Sequence, residues 1–310
     1  AGMSHAATTA VPPPDETRKG VGYAFAAYLL WGLLPAYLKL MGHVPALQIV
    51  AHRMVWSMGL LVVVVVALRR LPAILAALRV GRTFPMLMLS ATLVSSNWLI
   101  YTWAVLNGHV LEASLGYFIN PLVNVALGML FLKEKLRPMQ GVAVALATIG
   151  VGLMAVAQGG EVWIALALAL SFGFYGLVRK VVAIDALGGL AVETILLGPV
   201  ALAWLWWVGA QGQGAFGVDR ATDGLLMASG ILTAAPLLLF AAGARRLRYA
   251  TIGLIQYLAP TLVFLQGIWL FGEKLTPVYA VTFALIWIGL VIYAADSLRA
   301  GRAVPVTPPE

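Results

Sequence analysis

Cysteine is absent from the sequence, and charged residues are scarce, making up only 10% of the 310 residues. Without cysteine the chain has neither a disulfide framework nor a thiolate metal site, and its four histidines are too scattered to suggest a metal centre. A soluble globular domain has about 25% charged residues. The low charge, with 62% hydrophobic residues and a mean hydropathy of +0.94, predicts an integral membrane protein instead.

Motifs for the common kinds of catalysis are missing as well. The sequence has no nucleophile elbow, no glycine loop that would cradle a phosphate, no paired histidine motif and no cysteine nucleophile. These absences argue against an enzyme, a bound cofactor and a drive by ATP. The formal charge of +8 would suggest nucleic acid in a soluble protein, but here we expect the surplus in loops that face anionic lipid.

Ten apolar segments fill most of the chain. Each has about 20 residues, the length that an α-helix needs to cross roughly 30 Å of hydrocarbon. Because backbone amides in lipid must be satisfied within the segment, we predict that all ten are helices. They lie near 21–41, 46–68, 84–106, 111–132, 138–157, 162–182, 188–208, 224–244, 249–271 and 277–298.

The two ends of the chain lack this pattern. Residues 1–19 contain Pro12-Pro13-Pro14 and an Ala-Gly ahead of Met3 that looks like a cloning remnant, so we predict a disordered tail there. No cleavable leader is recognisable, and we expect the first apolar segment to be retained. Residues 299–310 are predicted to be a cytoplasmic tail.

The basic residues fix the expected orientation. With the N-terminus in the cytoplasm, sixteen of the twenty lysines and arginines fall in inward loops and tails. Lys39, Arg220 and Lys274 are on the outward side, and Arg53 lies within the second segment. This bias predicts ten spans with both termini in the cytoplasm.

A stretch in the middle of the chain is repeated near its end. At an offset of 139 residues, six positions match: Pro121 and Pro260, Gly128 and Gly267, Glu134 and Glu273, Lys135 and Lys274, Leu136 and Leu275, Pro138 and Pro277. The repeats would cover residues 20–157 and 158–298. Since each holds five segments, an odd number, the second enters the membrane from the opposite side. The predicted fold is therefore all-α, with ten transmembrane helices in two inverted five-helix repeats.

The paired prolines are the first candidates for a site. Pro121 and Pro260 lie about ten residues into their segments, so at 1.5 Å per residue both are expected near the bilayer midplane. Broken helices at matching positions of an inverted repeat indicate a transporter's substrate site. The alternative is that each proline only kinks a membrane helix, where proline is tolerated.

Polar side chains near these prolines are the next candidates, because polar groups are costly in hydrocarbon and usually face the bundle interior. Tyr117 and Asn120 form part of a polar stripe on the fourth segment, and Asn97 and Tyr101 share a face of the third. Gln256 is the polar residue at the corresponding place in the ninth segment. The alternative for such stripes is helix packing through small residues and amide hydrogen bonds.

Three of the charged residues within the segments are candidates for a role beyond setting the orientation. Arg53 and Glu112 start from the same side of the membrane, so we expect either a neutralising ion pair or a role in gating or substrate binding. Glu193 is either a proton carrier or a surface group whose charge reaches the interface, and the second interpretation is favoured. No metal ligands are assigned.

Five stretches together resemble one family, the RarD branch of the EamA, drug/metabolite transporter superfamily. They are AYLLWGLLPAYLKL (27–40), HVPALQIVAHR (43–53), NWLIYTWAVLNGHVLEASLGYFINPL (97–122), SFGFYGLVRK (171–180) and APLLLFAAGARRLRYATIGLIQYLAP (235–260). The resemblance implies a multi-pass permease of the bacterial inner membrane, often labelled a drug-resistance permease. It implies a central cavity lined by segments 1, 3, 4, 6, 8 and 9, with 5 and 10 peripheral. Gln48 departs from the pattern, since many relatives are expected to carry an acidic residue there.

The leading hypothesis is a secondary transporter that moves a small amphipathic solute, such as an amino acid, metabolite or drug, by alternating access. The sparse charge favours a neutral or zwitterionic solute, driven by a proton or substrate gradient, and oligomers are compatible with the sequence. The expected site residues are Trp31, Asn97, Tyr101, Tyr117, Asn120, Pro121, Tyr175, Gln256 and Pro260. The alternatives are a membrane enzyme acting on lipid, and an assembly or sensor subunit whose contact face is Gly141, Gly150 and Gly152.

Overall fold

The computed structural model describes residues 14–133, 137–158, 161–244, 246–247 and 255–302, and helices dominate these ranges. The helices are α1 Pro14–Gly32, α2 Leu34–Lys39, α3 Ala46–Ala67, α4 Leu71–Leu78, α5 Thr83–Leu106, α6 Val110–Leu132, α7 Pro138–Gln158, α8 Val162–Val181, α9 Ala186–Ala210, α10 Arg220–Ala244, α11 Leu258–Trp269 and α12 Pro277–Arg302. Within the described ranges nine stretches are long and apolar enough to cross a membrane, with α1 and α2 counted as one, and α11 is a shorter apolar helix. All ten predicted segments therefore contain a helix within their described parts, the ninth over Leu258–Trp269.

The first segment differs from its prediction in two ways. It is interrupted at Leu33, because Pro35 lacks a backbone N–H and its ring crowds the preceding turn. It also begins earlier, since α1 starts at Pro14, within the tail predicted to be disordered. Glu16 in that added turn pairs with Arg246 at 2.8 Å, which gives the turn a partner at the end of α10. Residues 1–13 of the predicted tail lie outside the described ranges.

The structure differs from the prediction at two further places. The sequence analysis did not predict α4, which lies between the second and third segments. The last helix continues to Arg302, so the first four residues of the predicted C-terminal tail are helical, and 303–310 lie outside the described ranges.

The matched prolines occupy different local structures. α6 runs through Pro121 without interruption. The chain before α11 instead has a turn at 256–257, which places Pro260 in the first turn of α11, where its missing N–H costs no helical hydrogen bond. The prediction of two broken helices thus describes the second copy and is wrong for the first.

Helices in equivalent positions of the two halves pack on each other: α3 on α9, α6 on α11, and α7 on α12. Two further contacts are related in the same way, since α5 packs on α8 and α10 on α1. A two-fold axis in the membrane plane would produce this arrangement, and it supports the predicted inverted repeat.

Small residues allow the closest of these contacts. A Cβ added at Gly230 of α10 would lie 2.6 Å from the carbonyl carbon of Trp56 in α3. One added at Gly289 of α12 would lie 2.9 Å from the carbonyl oxygen of Ala143 in α7. Such packing holds helices together in lipid, where apolar burial alone gives no preference for protein over lipid tails.

Candidate substrate site

Asn97 connects three helices in the middle of the bundle. It lies on α5 with its side chain fully buried. Its amide nitrogen donates to the carbonyl oxygen of Leu168 at 3.0 Å and to the hydroxyl of Ser171 at 2.9 Å, both on α8. Its amide oxygen accepts from the hydroxyl of Tyr117 on α6 at 3.0 Å. These three hydrogen bonds of the amide thus hold α5, α6 and α8 in one register.

An aromatic row continues from this junction. It consists of Tyr101, Tyr117, Phe172 and Tyr175, whose successive ring centroids lie 5.5, 6.0 and 5.7 Å apart. These distances lie within the usual range for interacting rings. The row brings together three of the residues predicted for the site, and it adds Phe172, which the sequence analysis did not single out.

Arg53 lies beside one end of the aromatic row. It comes from α3 and is 5% exposed. The Nε atom donates to the hydroxyl of Thr233 on α10 at 3.2 Å, and the guanidinium carbon lies 4.9 Å from the centroid of the Trp98 ring. Tyr101 and Tyr117 are close enough for the charge of Arg53 to act on them.

Glu193 lies at the other end of the row. The hydroxyl of Tyr175 is 3.5 Å from one carboxylate oxygen, and Ser90 donates to the other. Arg179 forms an ion pair with Glu193 at 3.7 Å. Because Glu193 is only 2% exposed, the favoured interpretation of it as a surface group is wrong. Helices α3 and α5 pack on α9, and Tyr175 and Arg179 of α8 contact the carboxylate.

Arg53 and Glu193 occupy equivalent places in the two halves. At an offset of 140 residues, Ala46-Leu47 aligns with Ala186-Leu187, Ala51 with Ala191, and Arg53 with Glu193. Each charge lies seven residues after the first residue of its helix, from opposite ends of the bundle. The sequence contains this correspondence, but it is supported by only three matching apolar positions. These are too few to identify it without the packing of α3 on α9.

The structure does not pair Arg53 with Glu112, as the sequence analysis considered. Glu112 lies in the first turn of α6, where it accepts a hydrogen bond from the hydroxyl of Tyr279 on α12 and lies 3.9 Å from His109. Arg53 contacts α5 and α10 instead. The two side chains start from the same end of the bundle but point to different neighbours.

The other predicted residues lie around this centre rather than in it. Asn120 is buried next to Pro121, and its amide oxygen has no hydrogen-bond partner in the described ranges. The carbonyl of Pro260 accepts from Ser114 of α6 at 2.9 Å, so the first turn of α11 is bonded to α6 two turns before Pro121. Trp31 belongs to a separate aromatic cluster with Tyr28 and Phe240, and Gln256 is half-buried in the turn before α11.

Glu273, from the second copy of the repeated Glu-Lys-Leu, closes the end of the bundle predicted to face outward. Its carboxylate accepts from the backbone N–H groups of Val110 at 2.6 Å and Leu111 at 2.7 Å, and so caps α6 from the other half. Burial raises the pKa of Glu273 to about 7, the two N–H groups oppose that rise, and the carboxylates of Glu112 and Glu161 add to it. The equivalent Glu134 lies outside the described ranges.

One group near this end has the composition of a metal site. His109, Glu112 and Glu161 each offer a ligand atom, and these atoms lie within 4.8 Å of one another. Three protein ligands are the number found in catalytic zinc sites. Glu112 is already bonded by Tyr279, however, and the positive end of the α6 dipole lies beside it, so we assign no metal here.

Comparisons with known proteins agree with this architecture. A profile of the EamA-like transporter family matches residues 18–156. An uncharacterized transporter of Pseudomonas aeruginosa is 48% identical over 93% of this chain and 97% of its own length. Protein RarD of Escherichia coli K12 is 46% identical over 93% and 97%. The chain belongs to the RarD branch of the EamA-like transporter family.

Two further similarities are more distant. A second Pseudomonas aeruginosa protein, called chloramphenicol-sensitive protein RarD, is 36% identical over 91% of this chain and 95% of its own. A solved crystal structure with 20% sequence identity covers 88% of this chain and 96% of that chain with a TM-score of 0.57, a similarity of fold alone. The named transporter relatives and the apolar helices show a multi-pass membrane transporter of the bacterial inner membrane.

Gln48, which the sequence analysis expected to depart from the family pattern, has a structural role in this chain. Its amide nitrogen donates to the carbonyl of Gln213 at 2.9 Å, and its oxygen accepts from the N–H of Ala215 at 2.8 Å. An ionised carboxylate can only accept, so an acidic residue at this position could not make both bonds. The glutamine therefore anchors the loop between α9 and α10 on α3.

Proposed function

We propose that this protein is a secondary transporter that moves a small amphipathic organic solute across the membrane by alternating access. The solute would bind along the aromatic row, between Arg53 and Glu193. Inverted halves that rock against each other around a midplane site are the general mechanism of such folds. The name of the chloramphenicol-sensitive relative supports a drug-like or metabolite-sized solute.

The observation that carries this proposal is the position of the two buried charges. Arg53 and Glu193 are equivalent under the repeat, enter from opposite ends, and are linked by one row of aromatic side chains. Charged groups within a membrane bundle are costly, and they usually mark the path of a substrate or an ion. A bundle with only a structural role gains nothing from two buried charges, because burying them is costly.

Transport can be tested with purified protein in liposomes loaded with a pool of amino acids, aromatic metabolites and drugs. Tyr117→Phe removes the hydroxyl that bonds Asn97 but keeps the ring, so we expect flux to fall several-fold while the fold is retained. Tyr23→Phe is the matched control, because the Tyr23 ring contacts Arg246 at 5.5 Å, away from the row. Absence of flux for every solute in the pool would refute the proposal.

Proton coupling is a separate part of the proposal, and Glu193 is its candidate carrier. It is buried, it can exchange a proton, and Arg179, Ser90 and Tyr175 are its described partners. In liposomes with an imposed pH gradient, we expect Glu193→Gln to abolish the response to the gradient while exchange of internal for external solute continues. Flux of the unmodified protein that ignores the gradient would exclude proton coupling and leave a substrate gradient as the drive.

The alternative of an assembly or sensor subunit loses part of its basis. Gly150, one of three glycines expected to form a contact face, is covered by α12: Thr282 donates to its carbonyl at 3.1 Å. Gly141 and Gly152 do face open space. For an enzyme acting on lipid, the candidate among the described residues is the group around His109. Phospholipid turnover by the purified protein with added zinc would favour that alternative.

A further inference from the structure

The charge of Arg53 has no anionic partner in the described part of the chain. The ion pairs found there involve other residues, and Glu112, the carboxylate that starts from the same end, is bonded to Tyr279. A buried charge without a partner is costly, and removing a charge's partner typically destabilises a protein strongly. A 5%-exposed guanidinium in a membrane bundle, with no counter-ion among the described residues, therefore points to an anion supplied by a bound ligand.

The contacts of the guanidinium leave one edge available. Thr233 accepts from Nε, and the indole of Trp98 covers a face at 4.9 Å. The Nη1 atom is buried and has no hydrogen-bond partner among the described residues. A planar guanidinium that is held by its face and its Nε presents its terminal nitrogens in the geometry that suits a carboxylate.

The surroundings favour an anion with an apolar body. The tyrosines within range of the charge, Tyr37, Tyr101 and Tyr117, provide ring faces, and two of their hydroxyls are already used as donors to protein oxygens. Trp98 also lines a small cavity between α3, α5 and α9, whose wall includes Met54 and Leu197. Glu193 lies in the wall of the same cavity, beyond Trp98, and would repel an anion that moved past the indole.

We propose that Arg53 binds the carboxylate of the solute, so that the substrate class is an organic monoanion with a ring-sized apolar body. This differs from the neutral or zwitterionic solute that the sequence favoured, and it rests on the proposed transport function for its biological meaning. The tyrosines and Trp98 contact the apolar body, and Nη1 of Arg53 donates to the carboxylate.

Matched acids and amides test the proposal directly. The probes are phenylacetate and phenylacetamide, benzoate and benzamide, and indole-3-acetate and indole-3-acetamide, titrated calorimetrically into purified protein. Hydrogen bonds to charged groups are worth a roughly 10- to 100-fold change in affinity, and we expect at least one acid to bind more tightly than its amide by that factor. Equal affinity within all three pairs, or no binding of any acid, overturns the proposal without the need for a variant.

Variants show whether Arg53 is the residue that makes acids bind more tightly than amides. Arg53→Gln should remove the acid preference, and Arg53→Lys should keep part of it, since lysine retains the charge but not the planar fork. Arg70→Gln is the control, because Arg70 forms a 2.8 Å ion pair with Asp185 near the opposite end of α3. An acid preference that survives in Arg53→Gln would assign the carboxylate to another group and overturn the proposal.

Flux measured beside binding separates this proposal from the proposed function. If acids bind through Arg53 but no solute crosses the liposome membrane, the transport function fails and the anion site stands. If solutes cross with the same preference in Arg53→Gln as in the unmodified protein, transport stands and the anion site fails.

Discussion

A single glycine determines whether Arg179 can reach Glu193. Gly189 lies one helical turn before Glu193 on α9, and a Cβ added there would lie 1.6 Å from Nη1 of Arg179. The guanidinium therefore lies flat on the bare backbone of α9, where it also donates to the carbonyl of Asp185 at 2.9 Å. Loss of the glycine should displace the arginine and leave the carboxylate without its cation.

Gly189→Ala is accordingly expected to act through Arg179. It should lower the apparent Tm in detergent and reduce transport about as much as Arg179→Gln, and the double variant should be no worse than Arg179→Gln alone, because both changes break the same ion pair. Gly209→Ala is the control on the same helix, since nothing lies within 4 Å of a Cβ there. Additive losses in the double variant would contradict this explanation.

At the scale of helices, α6 depends on the other half of the molecule for its N-terminal cap. The first N–H groups of a helix have no partner within the helix. For α6 two of them are satisfied by Glu273, from the loop between α11 and α12. The Glu-Lys-Leu repeat, a sign of shared ancestry in the sequence, thus joins the halves at the end predicted to face outward.

The raised pKa of Glu273 makes this cap sensitive to pH. Its pKa rises from 4.5 to about 7 on folding, so the folded protein holds the proton more tightly than the unfolded chain between those values. The free energy of unfolding should therefore fall as the pH rises through this window and change little above it. Glu112 and Glu161 strengthen the effect, because their negative charges raise the pKa of Glu273 further.

The measurement is the apparent Tm as a function of pH for the unmodified protein and for Glu273→Gln. The variant removes the contribution of this carboxyl group while His109 and Glu112 stay, so we expect a smaller fall in Tm between about pH 5 and pH 7. Identical pH profiles would show that Glu273 does not titrate in this range.

The contact between α3 and α10 gives a second prediction at this scale. Gly230→Ala would place a methyl group 2.6 Å from the backbone of Trp56, so the two helices must separate. Overpacking of this kind costs about 1–3 kcal/mol, and we expect a lower Tm with lost packing around Arg53 and Thr233. Gly224→Ala on the same helix meets nothing within 4 Å and should leave the Tm unchanged or raised. Equal Tm values for the two variants would contradict the close contact.

The whole molecule is suited to a direct test of its orientation, because the absence of cysteine lets single cysteines be introduced on an unreactive background. Gln211→Cys, exposed between α9 and α10, should react with an impermeant maleimide in intact cells. Arg79→Cys, exposed after α4, should react only once the inner face is accessible. Labelling of both positions from the same side would contradict the inverted arrangement.

The sequence alone determined that the chain enters the membrane, that it does so through ten helices, and which loops carry the positive charge. It could do so because hydrocarbon forces each segment to satisfy its own backbone, so length and apolar content suffice to identify a helix. The nearness of Asn97, Tyr101, Tyr117 and Tyr175 was also predicted, since their polar atoms had to face the bundle interior.

Only the tertiary structure decided which side chains meet. In the structure Arg53 and Glu112 have different partners, and Glu193 is buried beside α5 and α8. Trp31 lies in a cluster with Phe240. Lipid tails and a protein core are equally apolar, so a membrane helix shows little difference in sequence between its outer and inner faces. The direction in which Arg53 and Glu193 point is therefore set by the close packing of α3 on α9 and α10, and by the glycines that permit it.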